Sequence, residues 1–166
     1  MAEDPRAEFI ERIEASRERW RRLASDVGED RMELPGAMGD WSFKDLASHL
    51  AAWRGRTIDR LEAAARGEPV PPPPWYEAFG DQEVEDDPVN DWIHEHTRDR
   101  TVAEALAAVE STYDGFEAAV SALSIEVVTD PTRFDWLDGQ ALVGTDPGGH
   151  LAGHESSVRR WLEGLG

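Results

Sequence analysis

At 166 residues the chain suits a single domain, residues 1–166, and its 35 acidic against 17 basic side chains give a formal net charge of −18. That charge argues against nucleic acid or an anionic membrane as partner, because both need clustered Lys and Arg. With no cysteine, disulfides, thiolate metal sites and cysteine nucleophiles are excluded, so a metal would have to be held by His, Asp or Glu.

The chain starts Met1-Ala2-Glu3-Asp4-Pro5, acidic where a secretory signal would be basic and then apolar, and it holds no apolar run of bilayer length. A cytoplasmic protein is expected. Asp4 is placed to cap the first helix with Pro5 at its first position. Phe9, Ile13, Ser16, Trp20, Leu23 and Val27 then alternate in spacings of four and three, the seam of a helix packed against others, and Gly28 ends it. Residues 34–39 read as a loop from their Gly and Pro content.

Ser42 opens a second helix, with Asp45 three residues on as a shortened capping box. Leu46, His49, Leu50, Trp53, Thr57 and Leu61 follow at helical spacing, which turns His49 inward, and Gly67 is the stop. Pro69 and Pro71 to Pro74 cannot continue a helix and make a long crossover. In it Trp75, Tyr76 and Phe79 could cap a pocket or pin the loop to the surface, and Asp81 to Asp87 reads as a solvated acidic run.

Asp91 to Arg100 suggests one or two helical turns. Thr101-Val102-Ala103-Glu104 is a second capping box, opening a third long helix on the seam Val102, Leu106, Val109, Tyr113, Phe116, Val120 and Leu123. Turns at Asp130-Pro131 and Asp138-Gly139 surround Phe134, Trp136 and Leu137, and the one candidate strand is Ile125 to Val128. Asp146 as cap and Pro147 at the first position would start the last helix, with Leu151, His154, Val158, Trp161 and Leu165 as its seam. The fold class expected is all-α, a four-helix bundle with a Pro-rich crossover between its second and third helices.

The chemistry lies in His150 and His154. Four apart on one helix, they share a face and can grip one ion, and His49 is the candidate third ligand. Packing of three separate core histidines is the competing reading, but ligation is favoured because three inward imidazoles would each need a hydrogen-bond partner. Three His with no fourth protein ligand leave positions for water or substrate, as catalytic sites do. Zn²⁺, Ni²⁺ and Fe²⁺ all suit imidazole. Glu155 points to another face and is expected at the surface or behind the ligands. His94 and His96, two apart, are expected on different sides of a helix, with either able to reach the pocket mouth. Trp41, Trp53, Tyr76 and Trp136 are the candidate pocket walls. No phosphate loop, GxGxxG or serine-hydrolase arrangement is present.

The block Asp40-Trp41-Ser42-Phe43-Lys44-Asp45 with His49-Leu50 and Trp53, and the terminal His150, His154 and Arg160-Trp161-Leu162, resemble the DinB-like superfamily of four-helix bundles. Residues Asn90-Asp91-Trp92-Ile93 through Arg98-Asp99-Arg100 resemble its ClbS/DfsB-like branch. The resemblance implies an up-up-down-down bundle, often a homodimer, with a divalent metal on His49, His150 and His154. Relatives of this kind include thiol S-transferases and maleylpyruvate isomerases that use mycothiol or bacillithiol, and a colibactin-resistance protein that hydrolyses a cyclopropane warhead. The implied function is a metal-dependent enzyme acting on a small electrophile, by thiol transfer or hydrolysis in detoxification. The alternative is a metal-free ClbS-like hydrolase or a sequestering resistance protein.

Overall fold

A computed structural model describes residues 3–81 and 87–166. Residues 82–86, which hold most of the acidic run between Asp81 and Asp87, lie outside the described residues.

Four long helices, α1 (Pro5–Val27), α2 (Phe43–Arg66), α5 (Val102–Ala122) and α7 (Gly149–Leu165), form the all-α bundle expected from the apolar periodicity. The buried residues of α1 are the six seam residues, and Asp4 caps it by accepting the Arg6 N–H. Both capping boxes are formed, Ser42 with Asp45 on α2 and Thr101 with Glu104 on α5, so two donors at each helix start are satisfied by side chains. Gly67 closes α2 at φ +66°, the left-handed position in which a Cβ is disfavoured.

The contacts fix the helix directions. Arg6 donates to Leu123 O near one end of α1, and Arg17 pairs with Glu110 and Asp114 further along, so α1 and α5 are antiparallel. Gly148 lies against Ser16, and Arg19 and Asp26 pair with Glu155 and Arg159, so α1 and α7 run together. Lys44 at the start of α2 reaches Arg98 O just ahead of α5, and further along both helices Arg54 donates to Thr112 and Ile58 lies against Gly115, so α2 is parallel to α5. The order is therefore up-down-down-up, and this corrects the up-up-down-down order implied by resemblance. The chain folds back after α1 and Trp20 stacks on Phe43 (centroids 4.9 Å apart), which makes α2 return alongside α1.

That reversal is made by residues 34–39, expected to be a loop. Two short strands, β1 (Pro35–Met38) and β2 (Trp41–Ser42), pair antiparallel. Gly36 sits at φ +114°, and a Cβ there would come within 2.7 Å of the Trp161 side chain, while Trp161 Nε1 donates to Pro35 O at 3.0 Å. The hairpin is thus a clasp on the C-terminal half of α7.

The crossover between α2 and α5 carries a short helix, α3 (Tyr76–Phe79), and a three-turn helix, α4 (Asp87–Thr97), longer than the one or two turns expected. Trp75, Val89 and Ile93 bury against Trp53 as a small second core. Arg56 on α2, 2% exposed, donates to Pro71 O at 2.6 Å and pairs with Asp81, which ties the proline run down. Ile125–Thr129, the one candidate strand, is instead helical (α6), capped by Ser124. The last helix starts later than expected. Pro147 and Gly148 form a turn in which Asp146 Oδ1 accepts the Gly148 N–H, and α7 begins at Gly149. Leu165, placed on the α7 seam by its spacing, is the last residue of the helix and is exposed. Among the described residues no helix is long and apolar enough to cross a membrane.

Candidate metal centre

His49 lies about two turns into α2, on the face defined by Leu46, Leu50 and Trp53, and is 1% exposed. His150 and His154 occupy successive turns at the start of α7, both partly buried. Leu151 and Val158 bury the inner face of α7, and the hairpin clasp holds its far end, so the helix is fixed in height and rotation against α2. Ion pairs from Arg19 to Glu155 and from Arg159 to Asp26, the latter at 2.6 Å, hold the outer face to α1, and Arg159 also pairs with Glu155 within α7.

The three imidazoles meet. His49 Nε2 and His150 Nε2 are 3.0 Å apart, and the ring centroids are 4.9 Å (His49–His150), 5.1 Å (His49–His154) and 5.1 Å (His150–His154) from one another. One nitrogen from each lies within 4.8 Å of the others. Tetrahedral ligation with metal–nitrogen bonds of about 2.0–2.1 Å separates donors by about 3.3 Å, close to the 3.0 Å between His49 and His150, and the all-nitrogen donor set suits a borderline divalent cation. Which ring nitrogens carry protons is a matter of tautomer, and ligation requires the facing ones to be bare.

The other acidic and imidazole candidates are engaged elsewhere. Glu155 is taken by Arg19 and Arg159. Asp45 Oδ2 accepts from Ser42 N and Oγ at 3.0 and 2.8 Å, a cap. His94 stacks on Trp41, centroids 4.4 Å apart, with Nε2 3.6 Å from Asp45 Oδ2, and His96 stacks on Trp92. Neither joins the cluster.

Beside the cluster is a cavity of about 290 Å³, reached by His150 and walled by Trp53, Phe116, Trp136 and Leu142, with Arg54 and Arg60 from α2 on its lining. This is near the lower end of the usual 300–1,000 Å³ for small-ligand sites. Of the four aromatic wall candidates, Trp53 and Trp136 line the cavity. Trp41 lies against His94, and Tyr76, 52% exposed on α3, is not on its lining.

Apolar spacing passed over the arginines. Arg54, Arg56 and Arg60 interrupt the apolar face of α2, and a run of three guanidiniums among apolar neighbours was the available signal. Arg60 lies over Trp136, 5.0 Å from its centroid, and Arg54 over Tyr113 at 3.8 Å. Burial is the largest influence on the Arg54 guanidinium and lowers its pKa from the ordinary arginine value, with Tyr113 and Glu110 acting the other way.

Compared with known families, the chain matches the family model described as the DinB superfamily over residues 6–162. No curated protein and no solved structure matches it.

Proposed function

The chain belongs to the DinB superfamily, and from that premise we propose that it is a metal-dependent enzyme acting on a small electrophile. The observation that carries the reading is the meeting of three imidazole donors from two helices beside a cavity that one of them, His150, lines. Three protein donors, with no fourth beside them among the described residues, leave coordination positions for a reactant. A divalent ion such as Zn²⁺, Ni²⁺ or Fe²⁺ would supply Lewis acidity there, making a thiolate or hydroxide accessible at neutral pH.

The protein's own part is to orient and to exclude water. Burial of His49 and the clasp on α7 fix the donors before any reactant arrives. Trp53 and Trp136 offer flat apolar walls to the substrate. Because the chain has no cysteine, thiol transfer requires a thiol from outside, such as mycothiol or another low-molecular-weight thiol. Hydrolysis, as in the ClbS/DfsB-like branch, requires only water. A cytoplasmic homodimer engaged in detoxification fits either chemistry.

The aromatic walls support a second reading, a metal-free hydrolase or a sequestering protein that holds a toxic molecule between Trp53 and Trp136. The two separate in one experiment. Wild type and His49→Ala, each metal-loaded, are assayed for consumption of a monochlorinated or epoxide electrophile with and without a low-molecular-weight thiol. Turnover in the wild type that falls at least about 100-fold in the variant supports the enzyme reading. Equal turnover removes His49 from the mechanism, and tryptophan quenching without product favours sequestration.

A further inference from the structure

Arg54 is a cation on the cavity wall without a carboxylate. Its Nη1 donates to Thr112 Oγ1 at 3.0 Å, and its guanidinium lies 3.8 Å from the centre of the Tyr113 ring, whose hydroxyl is in turn hydrogen-bonded with Ser16 Oγ at 3.0 Å. These contacts fix the side chain in one place. Among the described residues no Asp or Glu forms an ion pair with it. Glu110, the carboxylate whose field reaches it, is already shared by Arg17 and Arg21, each at 2.8 Å.

Among the described residues the one carboxylate on the lining is Asp146, which accepts the N–H of Gly148 in the turn before α7. A second guanidinium, Arg60, lines the same cavity. In a chain of net charge −18, Arg54 thus presents an anchored positive charge to a cavity whose lining mixes aromatic and aliphatic walls with His150 and the side chains of Thr57 and Thr145. A partly buried guanidinium keeps its proton at any physiological pH, and its planar fork is matched by a carboxylate taking two parallel hydrogen bonds.

We infer that Arg54 forms an anion subsite in the cavity beside the three histidines, and that the substrate carries a carboxylate which docks there with its apolar body between Trp53 and Trp136. The inference deepens the enzyme reading by naming a substrate class, and it rests on the cavity being the substrate site, not on an ion being bound.

The test uses benzoate and its uncharged isostere benzamide, titrated into metal-free full-length protein with tryptophan fluorescence as readout. Benzoate is expected to bind at least about ten-fold more tightly than benzamide, with Arg54→Gln weakening benzoate about ten- to a hundred-fold and leaving benzamide unchanged. Arg54→Lys, which keeps the charge, is expected to retain part of the preference, and it decides the matter if Arg54→Gln fails to fold by circular dichroism. Equal binding of the two probes, no binding of benzoate to wild type, or a preference that survives Arg54→Gln overturns the subsite. So does a preference that appears only on adding Zn²⁺ and is lost in His150→Ala/His154→Ala but not in Arg54→Gln, which would put the anion on the metal and leave the metal reading standing. Arg54-dependent benzoate binding in a protein that takes up no metal has the opposite meaning: it supports the subsite and sinks the metal-dependent mechanism.

Discussion

The two halves of α2 bury polar side chains in different ways. Near its start the helix buries an imidazole, His49, that can be neutral and can join two others. Beyond Trp53 it carries Arg54, Arg56 and Arg60, whose charge cannot be shed, so each needs something brought to it. Arg56 is met by Pro71 O and Asp81 from the crossover, and Arg54 by Thr112 and the Tyr113 ring. The first half of α2 makes a site from its own bundle partner. The second draws on two neighbours, α5 for Arg54 and the connection between α2 and α5 for Arg56, and the Arg56 anchor explains why that connection, rich in proline, still holds one path against the helix.

The sharpest way to break this comparison is Arg56→Leu. Loss of a buried, charge-assisted pair and of the anchor for residues 71–81 is expected to cost about 3 kcal/mol in urea denaturation and to free Trp75 from its burial, read as a red-shifted tryptophan emission. A cost below about 1 kcal/mol would mean that the crossover is held by Trp75 and Val89 alone. Gly36→Ala attacks the other half. A Cβ at φ +114° that meets Trp161 at 2.7 Å is expected to cost about 2 kcal/mol and to loosen α7 from the hairpin, weakening metal uptake in an equilibrium dialysis assay more than it lowers stability. Undiminished uptake would show that Leu151 and Val158 suffice to place the histidines.

The smallest effect concerns a half-buried acid, Glu117, which can shed its charge where arginine cannot. Burial, with Glu14 beside it, pushes the Glu117 carboxyl up to about 7. The folded protein therefore binds this proton more tightly than the unfolded chain. The destabilisation is fully present above pH 7, is relieved as pH falls through about 7, and is gone below the ordinary carboxyl range. Glu117→Gln should thus be more stable than wild type by about 1 kcal/mol at pH 8, and the difference should vanish near pH 4.5 in paired thermal melts.

What was legible in the sequence follows physical lines. The α1 seam, both capping boxes, the Gly67 stop and the inward turn of His49 are local signals, fixed by spacing of 3.6 and by side chains that bond within three residues. The hairpin at residues 34–39 was not legible because its reason is distant. Gly36 is needed where Trp161 crosses it, 125 positions later in the chain. Asp146 and Pro147 carry a strong helix-start signal, yet Asp146 closes a turn on Gly148 and α7 starts at Gly149, which places His150 in the first turn. The arginines of α2 were missed because apolar periodicity treats a charged residue as solvent-facing, and only the partners across space reveal otherwise. Helix direction was likewise beyond local spacing, since it depends on the path of the hairpin.

The central claim is that His49, His150 and His154 form one metal site. The most direct test is elemental analysis of protein purified without a histidine tag, beside His150→Ala/His154→Ala, each also after incubation with Zn²⁺ or Ni²⁺ and desalting. About one equivalent of metal in the wild type and none in the double variant is the result expected of three converging imidazoles. No metal in either, with both proteins folded, would contradict it and leave the cluster as a hydrogen-bonded packing of histidines between α2 and α7.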